Sequence, residues 1–205
     1  MNKPLFITGI GTGIGKTIVS AVLVESMQAD YWKPVQSGDL DNSDTLYVKS
    51  LVSNNKTVFH PEAYRLTQPF SPHKSAALDG IEIDPSTIRT PKTDNTLIIE
   101  GAGGLMVPLN HTFLMIDLIQ QLNAEVILVV KHYLGSINHT LLSLEALHSR
   151  NIPITALIFN GESNESSESV IKGFAKCPTL YIPEIPQISK ESIANIKITL
   201  QNKPA

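Results

Sequence analysis

The stretch GIGTGIGKT occupies residues 9–17, directly after the short apolar run PLFIT at residues 4–8. A helical pattern over residues 15–27 follows, so the order is strand, glycine-rich turn and helix. In this context the glycines let backbone N–H groups point into one concavity, and the helix N-terminus adds positive potential there. Lys16 would then reach the β- and γ-phosphates, and the Thr17 hydroxyl would bind Mg²⁺ beside them. The stretch therefore predicts a site for a nucleoside triphosphate and Mg²⁺.

This loop departs from the usual phosphate-loop pattern at one position. The pattern places Gly or Ala five residues before the glycine of the Gly-Lys pair. That position is Ile10 here, and the glycine stands one residue earlier, at Gly9. The alternative is a glycine-rich turn that only joins a strand to a helix. We favour the phosphate site because Gly-Lys-Thr directly after an N-terminal strand is much more specific than a lone glycine pattern.

Composition and charge limit the classes of protein to which this chain can belong. Of its 205 residues, 42% are hydrophobic and 17% charged, and we expect residues 1–205 to form one catalytic nucleotide-binding domain. The formal net charge of -3 gives no basic field for nucleic acid or an anionic membrane. No apolar stretch approaches the ~20 residues that span a bilayer, and the N-terminus shows no signal peptide pattern. Cys177 is the only cysteine, which fits a reducing cytoplasm.

Strand and helix patterns alternate along the rest of the chain. Apolar runs predict further strands at residues 31–35, 96–99, 126–130, 154–159 and 180–182. Helical patterns cover residues 44–51, with Ser43 as a possible cap, and residues 114–122, 137–148, 165–174 and 189–201. Residues 53–91 are rich in proline and are predicted to be irregular, with short helices after Ser71 and near Asp84. This alternation predicts an α/β fold of the P-loop NTPase-like kind, with helices on both faces of a parallel central sheet.

Polar residues follow the predicted strands at their carboxyl ends, which is where ligands bind in sheets of this kind. These residues are Lys33, Ser37, Asp44, Glu100, residues 134–138, Asn160 and Gly161. Because the carboxyl ends of parallel strands meet at one edge, all of them should face the same side as the phosphate loop. Several strand-end features that share one phosphate loop favour a nucleotide-dependent enzyme over a passive binding protein.

Further blocks along the chain resemble the dethiobiotin synthetase family, in the order that the family has them. They are KPVQSG at residues 33–38, NSD at residues 42–44, SPH at residues 71–73, EGAGG at residues 100–104 and LGSINH at residues 134–139. The resemblance implies an enzyme of biotin biosynthesis that closes the ureido ring of dethiobiotin from 7,8-diaminopelargonic acid, CO₂ and ATP, with Mg²⁺. One amine becomes a carbamate, ATP phosphorylates the carbamate, and the second amine attacks the mixed anhydride.

The resemblance also implies roles for single residues. Lys16 and Lys33 are the expected catalytic residues, because a carbamate and a triphosphate are both anionic and must be brought together. Thr17, Asp44 and Glu100 are the expected Mg²⁺ ligands, in keeping with the preference of this ion for oxygen. Expected nucleotide contacts are Gly13, Ile14, Gly15, Lys16, Thr17, Ile18, Asp44, Glu100, Gly101, Ala102, Gly103, Asn160, Gly161, Pro183, Glu184 and Ile185. Expected substrate contacts are Thr12, Ser37, Leu134, Gly135, Ser136, Ile137 and Asn138.

The loop at residues 134–138 leads into a predicted helix, and its backbone N–H groups can bind an anion. The distal carboxylate of the substrate is such an anion. In the family that this sequence resembles, the loop comes from the neighbouring subunit. We therefore expect a homodimer in which the carboxylate site is shared across the interface.

Three of the assigned residues also have purely structural interpretations. Lys33 could be a solvated lysine at the end of a strand, Asp44 could cap a helix, and Glu100 could pair with a nearby lysine. An acidic residue directly after an apolar strand is harder to explain structurally, so Glu100 is the stronger of the two predicted carboxylate ligands.

Two other classes of P-loop protein remain as alternatives. Switch ATPases that position plasmids or division proteins carry a second lysine at the start of a KGGxGKT loop, and the matching position here is Gly11. The chain also lacks a basic patch or a terminal amphipathic anchor. Amidoligases that act on a cobalamin precursor normally need a glutaminase portion, and no cysteine stands in a nucleophile context here. The sequence does not determine the base preference among nucleotides.

Overall fold

The computed structural model describes residues 3–200, which form strands and helices in alternation. The strands are β1 (Leu5–Gly9), β2 (Asp30–Trp32), β3 (Val35–Ser37), β4 (Phe59–His60), β5 (Tyr64–Leu66), β6 (Leu97–Gly104), β7 (Glu125–Val130), β8 (Ile154–Asn160) and β9 (Thr179–Ile182). The helices are α1 (Lys16–Met27), α2 (Asp44–Leu51), α3 (Pro72–Leu78), α4 (Met115–Gln121), α5 (Ser136–Ser149), α6 (Glu165–Ala175) and α7 (Lys190–Asn195). Short 3₁₀ turns lie at Leu40–Asn42 and Pro85–Thr87.

Seven strands form one parallel sheet in the order β4-β2-β6-β1-β7-β8-β9, and β3 pairs with β5 in a separate parallel ribbon. The central strand β1 lies between β6 and β7, and all five of its residues are buried. From β1 the chain moves to β2 on one side, while β7, β8 and β9 follow one another on the other side. Since such crossovers are right-handed, α1 covers one face and α5 and α6 cover the other. The predicted α/β fold is confirmed, and β1 delivers the phosphate loop to the point where the strand order reverses.

All predicted helices except the closing one agree with the structure to within about a residue at each end, while two predicted strands differ from it. Residues 31–35 do not form one strand, because β2 ends at Trp32 and β3 begins at Val35 in the other sheet. Pro34 has no N–H group for a strand ladder, so the chain leaves the main sheet there. Lys33 consequently stands in the break between the two sheets.

The strand predicted at residues 96–99 continues through the glycine run instead of ending at Glu100. Strand β6 extends to Gly104 and pairs with β1, with Ile7 opposite Glu100 and Gly9 opposite Gly104. Glu100 therefore lies inside a central strand, where it is 1% exposed. Pairing with β1 outweighs the low strand propensity of glycine.

The proline-rich segment at residues 53–91 is partly ordered into strands that were not predicted. It contains β4, at the edge of the main sheet, and β5, in addition to the short helices expected after Ser71 and near Asp84. The closing helix α7 is shorter than predicted and ends at Asn195, and the predicted end at Gln201 lies outside the described residues. A single domain over residues 1–205 stays a prediction. Within residues 3–200, no helix has the length and apolar character needed to cross a bilayer.

Candidate active site

The phosphate loop joins β1 to α1, and a hydrogen bond from Lys16 links its two ends. The Lys16 ammonium donates to the Gly11 carbonyl oxygen at 2.9 Å, so it lies across the loop. Gly15 has a φ angle of 87° and precedes α1, a conformation that L side chains rarely adopt. A Cβ atom at Gly15 would also stand 2.1 Å from the Asn160 side-chain nitrogen. The backbone conformation therefore favours glycine here, and any larger residue would also have to displace the Asn160 side chain.

The displaced glycine of the loop has a packing explanation. A Cβ atom at Gly9 would stand 2.1 Å from Cδ1 of Ile14, whose side chain is buried against the loop base. Ile10, which takes the position where the pattern expects Gly or Ala, is itself buried. The small residue thus stands at position 9 instead of position 10. This arrangement leaves room for the buried side chains of Ile10 and Ile14 beneath the loop.

Beside the loop lies a cluster that we call the Lys33 cluster, formed by Thr17, Lys33, Asp44 and Glu100. The Lys33 ammonium is 2.6 Å from Oδ2 of Asp44 and 3.2 Å from Oε1 of Glu100. The Thr17 hydroxyl lies 2.9 Å from Oε1 of Glu100 and 3.1 Å from Oδ1 of Asp44. Because this hydroxyl has one proton, it donates to one carboxylate at a time. The residues predicted as metal ligands are therefore brought together.

Each member of the cluster is positioned by a different element. Lys33 follows β2 at the break before Pro34, and it is 4% exposed, which excludes the interpretation as a solvated lysine. Asp44 is the first residue of α2, but Ser43 is the cap, because its hydroxyl accepts from the Leu46 backbone N–H. The Asp44 carboxylate is thus available to the cluster. The interpretation of Glu100 as the partner of a lysine is confirmed, and that lysine is Lys33.

The electrostatics of the two lysines differ. Burial lowers the pKa of Lys16 to about 8, although Glu100 partly opposes this change. Burial also acts to lower the pKa of Lys33, but its two carboxylate partners outweigh burial and the net change is upward. Lys33 therefore keeps its charge over the physiological range, whereas Lys16 is a cation that titrates close to it.

The oxygen donors of the cluster fit a small hard cation. Two carboxylates share the buried Lys33 ammonium in it, the Lys16 ammonium lies in the same cavity, and the Thr17 hydroxyl adds a neutral oxygen. Within residues 3–200 there is no group of three or more His, Cys, Asp or Glu side chains that could hold a metal ion. A metal held here would depend on few protein ligands and complete its shell with water and phosphate oxygens. Mg²⁺ binds in this way.

Two cavities meet on the phosphate loop, where Gly13, Gly15 and Ile18 line both. The first has a volume of about 740 Å³ and holds the Lys33 cluster and Lys16. It is also lined by Thr12, Ser37, Gly101, Ala102 and Gly103. The Ser37 hydroxyl is buried and has no hydrogen-bond partner in the described part of the chain. An orphaned hydroxyl in this cavity is suited to bind a ligand.

The second cavity has a volume of about 1280 Å³ and gathers the other predicted residues. It is lined by Leu134, Gly135, Ser136, Ile137, Asn138, Asn160, Gly161, Pro183, Glu184 and Ile185. The Asn160 side-chain amide donates to the Ile14 carbonyl oxygen at 2.9 Å, which ties this cavity to the phosphate loop. The substrate residues predicted at 134–138 therefore share a cavity with the expected base contacts, and not with Lys33 and Ser37 of the same chain.

Two residues that bond directly to carboxylate-bearing members of the Lys33 cluster were not predicted as site residues. The Tyr31 hydroxyl donates to Oε2 of Glu100 at 2.9 Å, and the Gln36 side-chain oxygen accepts from the Asp44 backbone N–H at 3.2 Å. The sequence did carry a signal for Tyr31. In the strand predicted at residues 31–35, Tyr31 and Lys33 are two residues apart, and residues at this spacing lie on the same face of a strand. Gln36 lies within the KPVQSG block but carries no separate signal.

Comparisons with known proteins agree with this geometry. The family model described as "AAA domain" matches residues 3–192. ATP-dependent dethiobiotin synthetase BioD of Christiangramia forsetii is 54% identical over 176 residues, which are 86% of this chain and 84% of that protein. The protein of the same name from Cytophaga hutchinsonii is 48% identical over 200 residues, which are 97% of each chain.

Solved structures of lower identity share the fold alone. A ParA family ATPase from Chlorobium tepidum has a TM-score of 0.54 at 14% identity, covering 94% of this chain and 96% of that one. A chain of the MinC:MinD cell division complex of Aquifex aeolicus has the same TM-score at 16% identity, with 94% and 86% covered. The sequence relatives, in contrast, match at about half of all positions over most of their length. This chain therefore belongs to the ATP-dependent dethiobiotin synthetase family.

Proposed function

We propose that this protein closes the ureido ring of dethiobiotin from diaminopelargonate, CO₂ (or bicarbonate as its source) and ATP, with Mg²⁺, in the cytoplasm. Its family membership makes it an ATP-dependent ligase of biotin biosynthesis. The observation that supports the proposed chemistry most directly is the position of Lys33. This lysine is buried, remains charged, and shares one cavity with Lys16 and the orphaned Ser37 hydroxyl.

The reaction consists of three bond-forming steps. One amine of the substrate attacks CO₂ and loses a proton, giving a carbamate. A carbamate oxygen then attacks the γ-phosphorus of ATP, ADP leaves, and a carbamic-phosphoric anhydride forms. The second amine attacks the carbonyl carbon of that anhydride and loses a proton, the bond between this carbon and the phosphate-bearing oxygen breaks, and the ring closes with release of inorganic phosphate.

The two lysines bring the reacting anions together. We assign Lys16 to the β- and γ-phosphates, which requires it to leave the Gly11 carbonyl oxygen when ATP enters. We assign Lys33 to the carbamate and the γ-phosphate, where its charge offsets the repulsion between them and stabilises the transition state. Ser37 and Thr12 would bind the diamine or carbamate from the same cavity.

The remaining residues of the first cavity would hold Mg²⁺ and the phosphates. Thr17, Asp44 and Glu100 are the proposed ligands, since they supply one hydroxyl and two carboxylates within a single hydrogen-bonded cluster. When bound, Mg²⁺ supplies charge neutralisation of the phosphate oxygens during transfer. Gly101, Ala102 and Gly103 extend β6 beside the loop and bring only small groups close to the phosphates.

We assign the second cavity to the nucleotide base. Asn160 is anchored to Ile14 through its amide nitrogen, so its position relative to the phosphate loop is fixed. Gly161, Pro183, Glu184 and Ile185 line the same cavity. Gly13 and Gly15 would then lie between the base and the Lys33 cluster. The triphosphate would run along the phosphate loop from one cavity to the other.

The substrate carboxylate is assigned to the loop at residues 134–138 of a second subunit. Leu134 is fully exposed and Asn138 is exposed, and within one chain neither shares a cavity with Ser37 or Lys33. A substrate that contacts both groups at once is therefore easier to place across a two-fold interface, where each subunit offers the same surface.

A mixture of two variants tests the shared site. Asn138→Asp should repel the carboxylate and raise the KM for the diamine more than the KM for ATP. When this variant exchanges subunits with Lys33→Ala, each heterodimer would contain one site with both defects and one with neither. The mixture should then be more active than either parent. Heterodimers that form without any gain in activity would show that Asn138 acts within its own chain.

Phosphate release from ATP and Mg²⁺, with and without diaminopelargonate and bicarbonate, tests the proposed function itself. The proposal expects release to depend strongly on the diamine and to be accompanied by dethiobiotin. ATP hydrolysis that the diamine does not stimulate would contradict it and would favour a nucleotide switch.

A further inference from the structure

The two oxygens of Glu100 have separate partners. Oε1 faces the phosphate cavity, where it lies 2.9 Å from the Thr17 hydroxyl and 3.2 Å from the Lys33 ammonium. Oε2 accepts a hydrogen bond at 2.9 Å from the hydroxyl of Tyr31, a residue that does not line this cavity. Tyr31 is fully buried, and its hydroxyl bonds to the cluster at Glu100. It therefore acts on the site only through Glu100.

Tyr31 and Glu100 are held in relation to one another by the main sheet. Strand β2 pairs with β6 in parallel, with Tyr31 opposite Ile98 and Trp32 opposite Ile99. The Tyr31 ring also packs against Phe59 of the edge strand, with 5.9 Å between the ring centroids. The orientation of the Glu100 carboxylate is consequently fixed by a rigid partner.

We infer that Tyr31 is a positioning residue that restricts Glu100 to one oxygen on the metal side and so favours Mg²⁺ over Ca²⁺ at this site. The inference rests on the proposed function, in which Thr17, Asp44 and Glu100 hold the metal. Mg²⁺ takes six ligands in near-ideal octahedral geometry, whereas Ca²⁺ takes six to eight and readily accepts both oxygens of one carboxylate. A carboxylate whose second oxygen is bonded to a buried phenol cannot turn to offer both.

The test compares metal binding by Tyr31→Phe and by Tyr181→Phe. Tyr181 makes the same type of bond elsewhere, because its hydroxyl donates to Oε2 of the buried Glu168 at 2.7 Å. Each protein is kept in excess over a non-hydrolysable ATP analogue, so that all the analogue is bound. Mn²⁺ is titrated in, its free concentration is measured by electron paramagnetic resonance, and it is then displaced by Mg²⁺ or by Ca²⁺.

Tyr31→Phe should weaken Mg²⁺ binding by about tenfold, the lower end of what loss of a partner of a metal ligand costs. Ca²⁺ binding should weaken less or improve, because Glu100 gains the freedom to bind with both oxygens. The preference for Mg²⁺ should therefore fall in Tyr31→Phe and remain at the wild-type value in Tyr181→Phe. Tyr31→Phe removes a single oxygen atom and leaves the ring that packs on Phe59, so we expect it to fold.

Equal weakening of both cations, or an unchanged preference, would overturn the inference and leave Tyr31 with a structural role only. Glu100→Gln in the same titration separates this failure from failure of the proposed function. If Glu100→Gln binds Mg²⁺ as wild type does, the proposed metal site is wrong and the inference falls with it. If Glu100→Gln weakens Mg²⁺ binding while Tyr31→Phe keeps the wild-type preference, only the inference about Tyr31 is wrong.

Discussion

Glu100 and Glu168 are both buried carboxylates, and each is bonded to a tyrosine, a hydroxyl and a lysine. Glu168 accepts from Tyr181 and Ser163 at 2.7 Å each, and lies 3.3 Å from the Lys172 ammonium. Glu100 has Tyr31 and Thr17 at 2.9 Å each, with Lys33 at 3.2 Å. The same set of chemical partners thus occurs twice in one chain, once beside the phosphate loop and once away from it.

The two carboxylates differ in charge balance and in access to a cavity. Glu168 has Lys172 as its lysine and gains a further donor in the Asn164 backbone N–H at 3.0 Å, so α6, β9 and the loop after β8 are clamped together. Glu100 must share Lys33 with Asp44 beside a cavity, and the other nearby cation, Lys16, is the one that we assign to the phosphates of ATP. A satisfied carboxylate stabilises the fold, whereas one that lacks a full countercharge is prepared for a cation or for a reaction.

The largest expected effect is the loss of turnover on removal of Lys33, in contrast to removal of Lys172. Lys33→Ala should lower kcat by about 10²–10³-fold, because a preorganised charge that stabilises the transition state is lost. It should also lower stability, since two buried carboxylates are left without their ammonium. Lys172→Ala is the matched control and should leave kcat unchanged. Steady-state phosphate release and thermal unfolding of both variants check this, and near-normal turnover of Lys33→Ala would remove Lys33 from the proposed role.

A smaller effect is expected from the acid stability of the Glu168 clamp. Burial alone would raise the pKa of Glu168, but hydrogen bonds from Tyr181, Ser163, Asn164 and Lys172 outweigh it and lower the pKa to about 2. Because the folded-state pKa is depressed, the stabilisation is fully present above the unfolded-state value and is lost as the pH falls from about 4.5 to about 2.

Glu168→Gln should therefore unfold more easily than wild type at neutral pH, and the difference should shrink over that acid range. We expect the neutral difference to be about 2 kcal/mol, since solvent screens the partly exposed Lys172 and Tyr181. Urea unfolding at several pH values measures it. A difference between the two proteins that does not vary with pH would argue against the clamp.

The smallest effect concerns the affinity for ATP as a function of pH. Lys16 has a pKa of about 8 in the free protein, so it loses its charge as the pH rises through that value. Binding of the phosphates then requires uptake of a proton, and the affinity should fall by about tenfold per pH unit above the pKa. Titration of a non-hydrolysable ATP analogue between pH 7 and 9.5 measures the slope. Lys16→Arg should show a flat profile, and a flat profile in wild type as well would rule out this titration.

Local signals in the sequence were sufficient to predict the features that depend on neighbouring residues. Helix α2 was predicted at residues 44–51 and is observed there, because Ser43 caps it through a contact three residues away. The phosphate loop was predicted from its glycines and the Lys16-Thr17 pair, between an apolar strand and a helical pattern. Each of these features is stabilised by groups close together in the chain, so its pattern can be recognised without knowledge of the fold.

Features that depend on distant partners could not be predicted in the same way. The extension of β6 through its glycines follows from pairing with β1, and the β3–β5 ribbon joins segments on either side of α2. The burial of Lys33 follows from carboxylates supplied by α2 and β6. A lysine before a proline otherwise suggests a solvated strand end, and only the folded chain shows the countercharges that allow it to be buried.

We propose that Glu100 serves the metal and the reaction, whereas Glu168 serves the fold. Measuring both the Mg²⁺ dependence of phosphate release and the free energy of unfolding for Glu100→Gln and Glu168→Gln tests it most directly. We predict that Glu100→Gln raises the Mg²⁺ concentration for half-maximal turnover by at least about tenfold, with the smaller loss of stability, because Asp44 still pairs with Lys33. Glu168→Gln should lose more stability and keep the wild-type Mg²⁺ titration. A wild-type Mg²⁺ titration in Glu100→Gln, or an equal shift in both variants, would contradict the claim.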